Sequence, residues 1–197
     1  DSHLKLATLE QEASHDALTG LLNHAYAQKR ILAQMEESPT SQYALAILDL
    51  DHFKSANDTY GHSFGDQVLR HMAERLRFSI RGGDIAARVG GDEFLIFLEY
   101  NADLEPVIQR IYNAISGGKF DEFTISVSMG VATTEKVGSN YDTLFHAADQ
   151  ALYTVKRGGR GSYSFYDESM AATLSAISPI DGGDGGKGNA TNEKEAE

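Results

Sequence analysis

Two pairs of carboxylates stand where a folded chain could gather them around a cation. Asp49 and Asp51 flank Leu50 at the carboxyl end of an apolar run from Tyr43, and Asp92-Glu93 follows directly on Gly90-Gly91. Strand ends and tight turns expose side chains while the scaffold holds them rigid, which suits ligands that must converge on one ion. The chain has no cysteine, so a metal would have to be bound by carboxylates, carbonyls or histidines. Oxygen donors point to a hard cation such as magnesium. His62 lies apart from the other, scattered histidines and reads as a turn residue.

The elements that must position these acids follow from periodicity. Tyr43 to Asp49 reads as a strand ending in acid; Val68, Leu69, Met72, Ala73, Leu76 and Ile80 form the apolar stripe of a helix beginning near His62. Ile85 to Val89 and Glu93 to Glu99 read as two strands joined at Gly90-Gly91, a hairpin signal because glycine tolerates positive φ. Helices are expected over 1 to about 14, around Val107 to Ile115 and over Tyr141 to Val155, a long strand over Phe123 to Ala132, and a closing strand over Ser162 to Tyr166. Helices interleaved with strands around a hairpin predict one α/β (α+β) sandwich with a partly antiparallel sheet.

Composition bounds what such a domain does. With 197 residues and 41% hydrophobic content, the chain fits one domain with tails. Seventeen basic against 29 acidic residues give a net charge of -12, which disfavours nucleic-acid polymers and anionic membrane surfaces as partners. No apolar run reaches the length needed to span a bilayer, so a cytoplasmic domain is expected, although the parent protein could be membrane-anchored. Opening at Asp1 rather than methionine, the chain reads as part of a longer protein with upstream regulatory domains. Asp181 to Glu197 carries Gly-Gly pairs and charges but no large apolar residue, and is expected to be disordered.

Arg88-Val89-Gly90-Gly91-Asp92-Glu93-Phe94 resembles the signature of the GGDEF family of diguanylate cyclases. Asp16-Ala17-Leu18-Thr19-Gly20-Leu21, the segment from Asp49 to Asp66, Ser128-Met129-Gly130-Val131-Ala132 and Ala148-Asp149-Gln150-Ala151-Leu152-Tyr153 resemble further family motifs in the expected order. The resemblance implies a helix or linker over 1–15, the cyclase domain over 16–167, and a C-terminal extension over 168–197. It implies a five-stranded sheet flanked by helices, like the palm of polymerases and class III nucleotidyl cyclases. The activity implied is condensation of two GTP into cyclic di-GMP with Mg²⁺ or Mn²⁺, in a homodimer under an upstream sensor domain.

Residue roles carry over by the same resemblance. Asp49, the Leu50 carbonyl and Asp92 match metal ligands, with Glu93 beside them and general-base work divided between Asp92 and Glu93. Lys54, with the backbone of His52 and Phe53, matches the phosphate cradle and the catalytic lysine. Gly90 and Gly91 leave room for phosphate or ribose. Asn57 and Asp66 match the guanine-reading pair, and Lys156 and Arg160 the basic pair reaching the triphosphate. Arg81-Gly82-Gly83-Asp84 matches an RxxD motif that binds product at an inhibitory site. Two departures stand out: His24 where the family often has arginine, and Gly161 where asparagine commonly follows Arg160. The competing reading is a non-catalytic regulator that binds GTP or cyclic di-GMP; degenerate members commonly lose an acid from the signature, which is complete here. A cyclase that also accepts ATP would be expected to differ at Asp66.

Overall fold

The computed structural model describes residues 2–171, so the tail from Asp181 lies outside the described residues. The element order is α1 (Ser2–Ser14), β1 (Leu22–Asn23), α2 (His24–Glu37), β2 (Gln42–Leu50), α3 (Phe53–Tyr60), α4 (His62–Ser79), β3 (Ile85–Gly90) and β4 (Glu93–Tyr100). There follow α5 (Glu105–Ile115), β5 (Lys119–Phe120), β6 (Phe123–Thr124), β7 (Val127–Thr133), α6 (Thr134–Val137), α7 (Tyr141–Arg157) and β8 (Tyr163–Phe165). The main sheet has the order β1-β3-β4-β2-β7-β8, antiparallel at its centre and parallel at both edge pairs.

β2 is the axis. Its eight residues after Gln42 are all buried, as a central strand covered on both faces requires. Side chains alternate across the pleat. Ala44, Ala46, Leu48 and Leu50 therefore meet α4 and α5 through Leu69, Met72, Leu76, Ile108 and Ile111, while Tyr43, Leu45 and Ile47 meet α2 and α7 through Ile31, Leu144, Ala148 and Leu152. Each fully buried leucine or isoleucine in these layers contributes about 2 kcal/mol. Asn23 and Asn140 cap α2 and α7, their side-chain oxygens accepting from the amides of Tyr26 (2.9 Å) and Thr143 (3.0 Å). Among the described residues no helix is long and apolar enough to cross a membrane.

The predicted sandwich is confirmed, with two local corrections. The sheet has six strands rather than five, because Leu22–Asn23 adds a short parallel edge against Ala87 and Arg88. The long strand expected from Phe123 to Ala132 is broken. Phe123–Thr124 pairs instead with Lys119–Phe120, and the main-sheet strand resumes at Val127. The break has a cause in hydrogen bonding: Ile125 exchanges bonds with the Gly117–Gly118 turn, and the Ser126 carbonyl accepts from the Asp51 amide.

Candidate active site

The first acids converge because of strand register. Asp49 is paired with Glu93 of β4 on one side and Ser128 of β7 on the other, and directly opposed residues share a face. That face is the one covered by α7, whose last turn brings Lys156 onto Asp49: the ammonium is ion-paired with Oδ2, while Oδ1 is buried without a hydrogen-bond partner among the described residues. Burial raises the Asp49 carboxyl above its ordinary range, with Asp92 and Asp51 adding to it against Lys156. Burial likewise raises Asp92. Glu93 is pushed up to about 7, by burial first and then by the negative charges of Asp149, Asp49 and Asp92.

This corner is short of positive charge. No three acids or histidines among the described residues are already gathered into a cation cage, yet the unpartnered Asp49 oxygen and the mutual repulsion of Asp49, Asp92 and Glu93 are the features a divalent cation relieves. The donor set fits a hard cation. The linkage runs in a definite direction. Glu93 has a folded-state pKa above its unfolded value, so its neutral form favours the fold below about 4.5 and this contribution is lost as pH rises through about 7. Mg²⁺ or Mn²⁺ should therefore raise the melting temperature more at pH 8 than at pH 5.5, as measured by thermal unfolding with and without cation. An equal shift at both values would count against a cation in this corner.

The second acid pair rides on a braced turn. β3 and β4 pair from Ile85–Phe97 down to Gly90–Glu93 with a bulge between Arg88 and Gly90. Gly91 takes φ +54, a conformation glycine adopts at no steric cost. Arg88 reaches round the turn: Nε and Nη2 donate to the Gly91 carbonyl at 3.0 and 2.8 Å, and Nη1 donates to Asp16 at 3.2 and 3.3 Å. Asp16 also accepts from the amide and hydroxyl of Thr19 at 2.9 and 2.7 Å. Partial burial opposes ionisation of Asp16, but the Thr19 bonds and the Arg88 charge outweigh it and hold the carboxyl below the usual range. The segment following α1 is thus wired directly to the turn that carries Asp92.

The remaining predicted residues fall into two groups around the acids and a third at a distance. His52 at φ 61 turns the chain from β2 into α3, whose first turn carries Phe53, packed on the core, and exposed Lys54. A helix N-terminus placed directly after the acid strand offers amides to phosphate. Leu50 is buried between the two acids, 2% exposed. Asn57 lies against Gly65: a Cβ there would sit 1.8 Å from the amide oxygen. That contact sets Asn57 beside exposed Asp66, and Phe64 packs at a tilt against Tyr60 and Phe120, at ring separations of 4.7 and 5.7 Å, to brace this corner. Arg160 is exposed at φ 66 in the loop after α7.

Arg81 and Asp84 lie elsewhere. They close a turn before β3, with the Asp84 carboxylate accepting from the Arg81 amide at 2.9 Å. The turn borders a cavity of about 420 Å³ shared with Gln34, Glu99, Tyr100 and Asn101. β3 separates this cavity from the Asp92 turn, a distance of roughly 20 Å at strand rise.

Two participants escaped the sequence reading: Asp149 faces Glu93 from α7, and Arg88 braces the turn. Asp51, expected with Asp49 among the acids gathered around a cation, is instead only 2% exposed and committed to internal hydrogen bonds rather than to the open site. Both Asp149 and Arg88 stand inside the quoted motifs, so the signal was their place there.

The comparisons with known proteins place the chain in a family. Residues 13–162 match the family model described as "Diguanylate cyclase, GGDEF domain". The diguanylate cyclase DgcS of Shewanella oneidensis is 38% identical over 160 residues, covering 79% of this chain and 53% of that protein. The GGDEF domain of TpbB (YfiN) from Pseudomonas aeruginosa superposes with a TM-score of 0.73 at 32% identity, covering 82% of this chain and 99% of that one. The coiled coil and GGDEF domain of DgcB from Caulobacter crescentus, solved in complex with c-di-GMP, gives a TM-score of 0.72 at 30% identity, covering 83% and 91%. The chain spans between 17% and 53% of the length of the curated relatives it matches. On the family match, the complete Gly90 to Phe94 turn and the shared fold, the chain belongs to the GGDEF family of diguanylate cyclase domains.

Proposed function

We propose that this domain condenses two GTP molecules into cyclic di-GMP with release of two pyrophosphates. The observation that carries the reading is the intact Asp92-Glu93 turn held beside Asp49, with Lys156 on the same face. A divalent cation held by Asp49, the Leu50 carbonyl, Asp92 and Glu93 would offset triphosphate charge and acidify the attacking 3′-hydroxyl. The chain's own groups do the rest. The amides at the start of α3, Lys54, Lys156 and Arg160 bind the triphosphate, while the Asn57 amide matches the polar edge of the guanine and the Asp66 carboxylate accepts from its N1 and amino protons. Without a cation, burial and the neighbouring acids push the Glu93 carboxyl up to about 7; a bound cation would favour its ionised form, leaving a carboxylate beside the hydroxyl to take its proton. Each 3′-oxygen then forms a bond to the α-phosphorus of the other GTP as that phosphorus loses its pyrophosphate.

One site presents one GTP, so two domains must face each other. Leu6 and Leu9, three residues apart on one face of α1, are 56% and 61% exposed, a helix surface that a second copy of α1 would cover. Turnover per molecule should therefore rise with protein concentration in a dilution series; a flat series from a chain shown to be monomeric would refute the dimer.

Two variants test the site assignments. Asp66→Ser removes a carboxylate acceptor for the guanine N1 and amino protons, and should lower the GTP-to-ATP ratio of kcat/KM by about tenfold or more. An unchanged ratio would remove Asp66 from base recognition. The cavity at Arg81 and Asp84 supports a product site, since an arginine can fork onto phosphate or guanine while aspartate accepts from the base. Its separation from the acids predicts that added cyclic di-GMP lowers turnover without competing with GTP. Arg81→Ala should abolish this inhibition, and equal sensitivity of the two proteins would show the motif to be a helix terminus only.

A further inference from the structure

Asp51 stands two residues after Asp49, yet the structure gives it different work. Its carboxylate is nearly sealed from solvent at 2% exposure and accepts from Ser126 Oγ (2.6 Å), Ser128 Oγ (2.6 Å) and the Gly161 amide (3.0 Å). Ser128, itself fully buried, also accepts from the Gly161 amide at 3.2 Å. A buried carboxylate is tolerated only when its lone pairs are used, and these bonds use them on two elements at once: the start of β7 and the loop after α7. Gly161 sits at φ +62 immediately after Arg160 at φ 66, so the chain makes a left-handed turn whose amide is pinned to the sheet. Asparagine tolerates this conformation too, which accounts for Gly161 in its place here.

The loop has few other anchors near Arg160. Its amide donates to the Val155 carbonyl, and Ser162 accepts from Met129 before β8 begins at Tyr163. We propose that Asp51 is a positioning residue: by clamping the Gly161 amide to Ser126 and Ser128 it fixes the 158–161 loop so that Arg160 presents its guanidinium to the triphosphate. The assignment of Arg160 to the triphosphate rests on the proposed cyclase function; the clamp does not. A charge-assisted acceptor fixed by two serines places the loop more firmly than backbone pairing alone would. Because Arg160 is assigned to the triphosphate and not to the attacking hydroxyl, its placement is expected to be read chiefly in GTP binding.

The test uses the full chain with Asp51→Asn, Ser128→Ala, Arg160→Ala and the Asp51→Asn/Arg160→Ala pair. Amide hydrogen exchange followed by mass spectrometry reads the clamp without reference to activity: Asp51→Asn and Ser128→Ala should speed exchange in the 158–162 segment while β2 and β4 stay protected. Unchanged exchange there would overturn the clamp. Steady-state kinetics read the link to substrate. Asp51→Asn should raise KM for GTP by roughly tenfold with kcat within about threefold, and Ser128→Ala, which keeps the charge at position 51, should move KM the same way. In the double variant, KM should stay close to that of Arg160→Ala alone, since a residue acting through Arg160 has nothing left to lose. Additive effects on KM, or a rise confined to Asp51→Asn and absent in Ser128→Ala, would overturn the positioning role in favour of a direct charge effect on the acids. A wild-type chain that makes no product would sink the cyclase reading while leaving the exchange result to stand on its own.

Discussion

Asp92→Ala is expected to lower kcat by about three orders of magnitude, a loss near 4 kcal/mol of transition-state stabilisation, while the fold survives. The two expectations have one origin. Asp92 lies at a turn outside the packed layers, and its carboxyl is raised by burial near Asp51 against the attraction of Lys156 and Arg88. Removing it relieves like-charge repulsion in the metal-free protein, so its melting temperature should hold or rise by a few degrees, as often happens when a strained functional group is deleted. Glu93→Ala and Asp49→Ala should behave alike, because register places those two residues opposite one another on the same face. The check is turnover with Mg²⁺ alongside circular dichroism of the metal-free variants. Near-normal turnover with native dichroism in any one of them would strip that residue of its role.

Gly130→Ala is expected to act through the fold instead. A Cβ at Gly130 would sit 2.2 Å from the Ala148 carbonyl and 2.2 Å from the Leu152 amide, so the backbone of α7 lies directly on β7 there. These neighbours are backbone atoms that cannot swing aside, and α7 must lift from the sheet to admit the methyl group. The cost should be about 3 kcal/mol, or roughly 10 °C in melting temperature for a domain of this size. Because α7 also carries Asp149 and Lys156 over the acids, turnover should fall at temperatures where the variant is still folded. A melting temperature within a degree or two of the parent would mean that α7 is not seated as described.

What the sequence disclosed, and what it hid, follows from where each signal resides. β2, β4, α4, α5 and α7 were legible because each buries a dense apolar run or stripe. α2 was missed because its buried face is only Ala27, Ile31 and Met35, too thin to mark a period. α3 was missed because it buries Ala56 alone within a run of lysine, serine, asparagine, aspartate and threonine. The alternation of Phe123 to Ala132 suits one long strand, which is broken by the pairing of Phe123–Thr124 with Lys119–Phe120, by the bonds of Ile125 to the Gly117–Gly118 turn and by a long-range bond from the Asp51 amide to Ser126. The site divides in the same way. The turn and its acids are local in sequence and were readable, whereas the Arg88–Asp16 contact spans 72 positions and the Asp51–Gly161 contact 110, distances at which no spacing rule operates.

The central claim is that these residues join two GTP molecules. The most direct measurement is to incubate the purified chain with GTP and Mg²⁺ and to separate the nucleotides by chromatography. The account predicts cyclic di-GMP accumulating with two pyrophosphates per product molecule, and none of it when chelator removes the cation. Unchanged GTP in the presence of Mg²⁺ or Mn²⁺ at protein concentrations that support a dimer, or product formed equally well in chelator, would contradict it.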